Sequence, residues 1–270
     1  QTTSDTETLV QLIAKSKRVK TIDKIIDAIF QVQGGYALTM MTNKKLVGIR
    51  DPYGIRPLVL GKLKDSYILS SETCALDIIG ADFVREIENG EIVVIDKNGV
   101  ESIKPFPKVP ARPCVFEYVY FSRPDSIVGG KAVHEYRKKL GEELAKELSI
   151  EADIVSAVPD SGIPAAIGYS NQSKIPYDMG IIRNHYVGRT FIEPTQQIRQ
   201  LGVKLKHNAN KEIIKNKRLI LVDDSIVRGT TSKKLVDMLY NAGAKEIHLC
   251  ISSPPIKHPD YYGIDTPNIK

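Results

Sequence analysis

Two adjacent carboxylates, Asp223 and Asp224, follow an aliphatic run in "LILVDDSIVRGTT", which spans Leu219 to Thr231. A run of Leu, Ile and Val reads as a buried strand, and open α/β sheets bind ligands beyond the carboxyl ends of their strands. The residues after the acids are small. Ser225, Thr230 and Thr231 offer hydroxyls, and Gly229 lets backbone approach a ligand. The helix expected next begins with amide groups that lack partners. Such a turn cradles phosphate. Two carboxylates beside it would accept hydrogen bonds from sugar hydroxyls and could help hold magnesium through water. A phosphate cradle next to a diol-binding acid pair fits a ribose 5-phosphate. The plainer reading makes Asp224 or Ser225 a helix cap. Two acids, one glycine and three hydroxylic residues in so short a segment favour a site. No Gly-Lys-Ser/Thr closes the loop, so it is not a Walker loop.

The elements that must position this turn alternate between strand and helix. A helix is expected over about 131–148, with Val133, Tyr136, Leu140, Leu144 and Leu148 on one face. "DIVSAVP", a small-residue helix "GIPAAIGY", "YDMGII", "HYVGRTFI" and "RLILVDD" follow. Then come a helix "SKKLVDMLYNAGA", stopped by Gly243, and "EIHLCIS". This alternation argues for a parallel sheet.

The earlier residues have another rhythm. "SDTE" at Ser4–Glu7 reads as a capping box for a helix over 4–16. A second helix carries Ile22, Ile25, Ile26, Ile29 and Phe30, ended by Gly34–Gly35. "YALTMMT", "KLVGIR", "PLVLGKL", "SYILSS", "GEIVVID" and "VESIKPF" read as strands of an antiparallel sheet. Proline-rich "KPFPKVPARP" (Lys104–Pro113) reads as a linker. The expected domains are 1–110 and 111–270, giving α/β, α+β overall.

Composition narrows the class. Of 270 residues, 42% are hydrophobic and 26% charged, which fits a soluble globular chain without a membrane span. "QTTSDTETLV" is no secretory signal, and it lacks an initiator methionine, so a fragment or processed product is expected. The net charge of +6 suits anionic ligands. The basic clusters "KSKRVK" and "KLKHNANKEIIKNKR" have little aromatic interleaving, so nucleic acid is not expected. Cys74, Cys114 and Cys250 are far apart and form no zinc or disulfide pattern; a reducing cytoplasm is expected.

"VDDSIVRGTT" resembles the phosphoribosyl-pyrophosphate (PRPP) signature of type I phosphoribosyltransferases. "TTSDTE", "RDPYGIRPLVLGK", "SSETCALD", "CVFEYVYFSRPDS", "YVGRTFIEPTQQIR" and "NAGAKEIHL" extend the resemblance, in order, to the glutamine PRPP amidotransferases. These catalyse the first committed step of purine synthesis. The resemblance implies part of an N-terminal-nucleophile glutaminase domain with an antiparallel sheet. A type I phosphoribosyltransferase domain, incomplete at its C-terminal end, then follows with its parallel sheet.

It also implies roles. Asp223 and Asp224 would hold the PRPP ribose, and Ser225 to Thr231, including Arg228, Gly229, Thr230 and Thr231, would cradle the 5-phosphate. "VPDSG" would meet the pyrophosphate, with Ser161 at a magnesium-associated position beside Asp223 and Asp224. "RNHYVGRTF" would close over PRPP, with Arg183 and Arg189 as its cations and Gly188 giving freedom. An arginine and a metal are what a departing pyrophosphate needs. His185 stands where many relatives have arginine and reads as a tolerated change. Phe191 and Ile192 would line an ammonia channel, and Asp5 would hold the α-amino group of glutamine.

Departures matter too. The glutaminase nucleophile, an N-terminal cysteine, is not in this sequence, and neither Cys74 nor Cys114 substitutes for it. The expectation is therefore ammonia-dependent transfer at most, without glutaminase activity. Cys114 matches one iron–sulfur ligand position of some members, but Asp260 stands at the next, so no cluster is expected. Mg2+ is the expected cofactor, PRPP and glutamine or ammonia the expected partners, and a homo-oligomer the expected full-length state. The alternatives are a PRPP-sensing regulator and a nucleobase phosphoribosyltransferase.

Overall fold

The computed structural model describes residues 4–184, 206–226, 229–258 and 260–262. The chain divides into two compact units between Cys114 and Val115, and residues 260–262 group with the first.

The first unit is layered. Helices α1 (Asp5–Lys15) and α2 (Thr21–Ile29) lie on a four-stranded antiparallel sheet in the order β1-β2-β6-β7. Its strands are β1 (Ala37–Met41), β2 (Leu46–Arg50), β6 (Ile92–Asp96) and β7 (Gly99–Ile103). Leu9, Ile25, Ala28 and Ile29 of the helices bury against Val47, Ile49, Ile92 and Val94. Strand alternation sends Gly48 and Val93 to the other face. There a second antiparallel sheet packs, in the order β4-β3-β5, from β3 (Val59–Leu63), β4 (Ser66–Ser70) and β5 (Asp82–Glu86). A Cβ on Gly48 would lie 2.7 Å from Leu69 Cδ1, so glycine sets how closely the sheets approach. Helix α3 (Thr73–Ile79) covers the far side through Leu76, against Val59 and Ala81.

Four expectations change here. The strands form two sheets, not one, because alternation tells which face is buried but not which strands share a sheet. Helix α3 and strand β5 are additions to the sequence reading. Ser4 is the N-cap of α1 but makes no side-chain capping bond, and α2 ends at Ile29, ahead of the glycine pair. Residues 104–113 are not a free linker: Phe106 packs on Phe30 with ring centroids 4.9 Å apart, and the Arg112 amide donates to the Tyr53 carbonyl at 2.8 Å.

The second unit is built on a parallel sheet in the order β10-β13-β14, from β10 (Ile154–Ala157), β13 (Arg218–Asp223) and β14 (Glu246–Ile251). Tyr177 adds a parallel bridge on the outer edge of β10. The central β13 is buried on both faces, which is what its unbroken aliphatic run requires. Helix α5 (Ile163–Ser173) covers one face through Ala165, Ala166 and Tyr169. Helix α7 (Thr230–Asn241) covers the other through Leu235 and Leu239, joined by Ile214 of the short α6 (Lys211–Ile214). A separate antiparallel pair, β11 (Ile181–Arg183) and β12 (His207–Ala209), lies beside them, and a small hairpin joins β8 (Ile127–Val128) to β9 (Lys131–Ala132).

Helix α4 (Val133–Glu147) begins two residues later than expected, because Lys131 and Ala132 belong to the β8–β9 hairpin. Its buried stripe is Val133, Arg137 and Gly141, while Leu148 is 42% exposed. The contact runs along a glycine face: a Cβ on Gly141 would strike the Ala165 carbonyl, and one on Gly168 the Lys138 carbonyl.

Candidate functional site

Two strand-to-helix turns, β10 to α5 and β13 to α7, meet at the carboxyl end of the parallel sheet. Asp223 ends β13 and Asp224 follows it; both are buried. Their backbone carbonyls accept hydrogen bonds from the amides of Ser252 and Ser253, each at 3.0 Å, so the segment just after β14 holds the acid pair in place. Asp223 Oδ1 accepts the Asp224 amide at 2.9 Å, and Asp224 Oδ1 accepts the Ser225 hydroxyl at 2.8 Å. Ser161, from the other turn, also donates to Asp224. Asp224 Oδ2 is buried and has no partner among the described residues.

Charge is unfavourable here without a ligand. Burial, and then the neighbouring Asp224, push the Asp223 carboxyl up to about 7. Burial also raises Asp224, while Ser225, Ser161 and the Arg137 guanidinium draw it back. Arg137 is itself buried in α4, donating to the carbonyls of Tyr118 and Ser122 at 2.7 and 2.8 Å.

The helix-cap reading does not hold. The N-cap of α7 is Gly229, and no side chain among the described residues caps it. Gly229 adopts φ +69°, which favours glycine, though a Cβ there would meet nothing within 4 Å. Among the described residues, the first amides of α7, from Thr230 and Thr231 onward, therefore have no side-chain partner at its positive end.

The opposing turn carries Pro159, Asp160, Ser161 and Gly162, with a cis bond between Pro159 and Asp160. Gly162 lies against the end of β13, where a Cβ would sit 2.5 Å from the Val222 carbonyl. Arg183, at the end of β11, pairs with Asp160. Its cross-strand neighbour is His207, whose Nε2 lies 3.4 Å from the Pro159 carbonyl. His207 is not singled out in the sequence, where it lies inside the basic cluster "KLKHNANKEIIKNKR". Its only signal there is a polar residue in the short β12.

The structure thus brings together Ser161, Asp223, Asp224, Ser225, Gly229 and Thr230, with Thr231 in the first turn of α7 and Arg183 joined through Asp160. Arg189, Phe191, Ile192, Arg228, His185 and Gly188 lie outside the described residues. Asp5 is exposed at the start of α1 in the first unit. The three cysteines are buried and form no disulfide, and Asp260 Oδ1 accepts the Tyr262 amide at 2.8 Å. Magnesium fits the donor set: two carboxylates, one with an orphaned oxygen, and a serine hydroxyl are hard ligands. No group of three or more His, Cys, Asp or Glu residues suited to a metal occurs among the described residues, so a cation would need ligand or water oxygens as well.

Comparison with known proteins places this geometry. Residues 130–261 match the phosphoribosyl transferase domain family, and residues 1–77 match the glutamine amidotransferase domain family. The amidophosphoribosyltransferase of Rhizobium etli is 59% identical over 99% of this chain and 55% of its own length. That of Bacillus subtilis is 49% identical over 98% of this chain and 56% of its own. Over nearly its whole length the chain is similar to amidophosphoribosyltransferases.

It spans about half the length of the curated relatives it matches. A solved amidophosphoribosyltransferase structure, glutamine PRPP amidotransferase from B. subtilis complexed with ADP and GMP, aligns at TM-score 0.90 and 48% identity, covering 99% of this chain and 59% of that one. The fold matches that structure: antiparallel sheets in the first unit, a parallel phosphoribosyltransferase sheet in the second. Among the described residues, no helix is long and apolar enough to cross a membrane. One Arabidopsis thaliana relative, 52% identical, is named as chloroplastic.

Proposed function

We propose that the protein carrying this chain converts PRPP, glutamine and water to 5-phosphoribosylamine, glutamate and pyrophosphate, the first committed step of purine synthesis. The observation that carries the reading is the N-terminus of α7, uncapped among the described residues and a short loop away from two buried acids, one with an orphaned oxygen. The 5-phosphate sits on the open amides of Gly229, Thr230 and Thr231, with Ser225 and Arg228 beside it. Asp224 Oδ2 and Asp223 accept hydrogen bonds from the ribose hydroxyls, which supplies the partner Asp224 lacks. The pyrophosphate meets the 159–162 turn, with Arg183 and Arg189 as its cations. Magnesium held by Asp223, Asp224, Ser161 and the oxygens of PRPP would supply charge neutralisation as the pyrophosphate leaves.

Ammonia attacks carbon 1 of the ribose. The C–N bond forms, the C–O bond to pyrophosphate breaks, and the leaving oxygen takes the electron pair. The nitrogen then gives up one proton, leaving the amine. Phe191 and Ile192 line the ammonia route, and Asp5 anchors the α-amino group of glutamine. The assembled enzyme is a homo-oligomer.

The test is calorimetry of PRPP with magnesium on the Asp223→Asn, Asp224→Asn double variant. Lost charge-assisted hydrogen bonds of about 1.5–3 kcal/mol each should weaken binding at least tenfold. Unchanged affinity sinks the assignment. Binding by the wild type without phosphoribosylamine formation would instead identify a PRPP sensor.

A further inference from the structure

We propose that His207 is a positioning residue for the pyrophosphate turn, holding the Pro159 carbonyl so that Asp160 and Ser161 are presented in one fixed geometry. The inference rests on the phosphoribosyltransferase reading of the site. Arg183 and His207 are directly opposed in the β11–β12 pair. Opposed side chains on a sheet lie on the same side. This pair grips two consecutive residues of one turn: Arg183 takes the Asp160 carboxylate, and His207 approaches the Pro159 backbone. The next residue is Ser161, which reaches Asp224 across the site. One cross-strand pair therefore connects the β11–β12 hairpin to the turn, and the turn to the acid pair.

The chemistry of the ring follows from its surroundings. A carbonyl oxygen only accepts, so a bond to it requires hydrogen on Nε2. His207 is 7% exposed, and its Nδ1 has no partner among the described residues. Burial, Lys206 and Arg183 all disfavour a charged ring, against the Pro159 carbonyl and Asp160, which favour it; the net direction is downward. The ring is thus a neutral donor with an idle acceptor on its far side. A space-filling role would not need a polar ring: leucine would fill a comparable volume without leaving Nδ1 unsatisfied.

Two measurements on the protein carrying this chain decide the matter. Nitrogen-15 NMR of the histidine rings at neutral pH should show His207 neutral and protonated on Nε2. A ring protonated on Nδ1, or charged, overturns the proposal without any variant having to fold. In the second, His207→Leu should weaken PRPP–magnesium binding by about three- to tenfold, the range for one lost hydrogen bond, and raise the KM for PRPP but not for the nitrogen donor. His207→Gln, which keeps a donor nitrogen, should restore affinity to within about twofold. Unchanged PRPP affinity in His207→Leu, or equal losses in the leucine and glutamine variants, refutes positioning. Wild-type protein that binds no PRPP refutes the transferase reading itself, and the inference with it.

Discussion

Asp223 occupies a folded environment that disfavours its own charge, with its carboxyl pushed up to about 7 by burial and then by Asp224. An unfolded aspartate titrates near 3.9, so between about pH 4 and 7 the folded state holds a proton that the unfolded state has lost. Stability of the ligand-free protein should therefore fall as pH rises through this window and level off above it. Asp223→Asn removes the titration but can keep the 2.9 Å bond from the Asp224 amide to Oδ1. In chelator-containing buffer the variant should unfold at a higher temperature than the wild type at pH 8, with the gain on the order of 1 kcal/mol or more and much smaller at pH 4. It should also gain less from added PRPP and magnesium. A stability difference independent of pH would show that Asp223 carries no such penalty. Stability set aside for a ligand is what a binding acid, rather than a capping one, should show.

At the scale of elements, α4 and α5 show how backbone contact sets the position of the site. Gly168 lies where a Cβ would strike the Lys138 carbonyl, and α5 starts one residue after Gly162, which lies against the end of β13. Helix propensity alone says that Gly168→Ala should stabilise by about 1 kcal/mol. Overpacking costs about 1–3 kcal/mol or more and should win, because the obstacle is backbone and cannot rotate away. The variant should unfold at lower denaturant concentration, and PRPP affinity should fall with the displaced turn; a higher midpoint would show that the helices separate freely. This contact also marks a limit of sequence reading. β13 is legible because burial on both faces demands an uninterrupted aliphatic run, and the acid pair is legible because it ends that run. The buried face of α4 is not, since glycine and arginine carry no hydrophobic signal. His207 is hidden for a similar reason: its neighbours Lys206 and Lys211 make the segment read as solvent-facing. The division of the first unit into two sheets depends on pairings that alternation does not encode.

At the scale of the whole molecule, the two units carry chemistry that should separate by nitrogen donor. In the proposed reading, ammonia needs only the PRPP site, to which Asp223, Asp224 and the N-terminal end of α7, all in the second unit, are assigned. Glutamine needs in addition a group to hold its α-amino end, and Asp5, exposed at the start of α1 in the first unit, is the residue assigned to it. Asp5→Ala in the protein carrying this chain should raise the KM for glutamine at least tenfold, the loss expected from a charge-assisted hydrogen bond of about 1.5–3 kcal/mol. Ammonia-dependent transfer at high pH, where the uncharged amine is abundant, should stay within about twofold of wild type because no group that touches PRPP is altered. The paired Asp223→Asn, Asp224→Asn variant should lose transfer from both donors. Pyrophosphate release with each donor, measured beside glutamate release, separates these outcomes. Equal loss of both activities in Asp5→Ala would mean that the residue supports the fold of the first unit and has no part in choosing the donor.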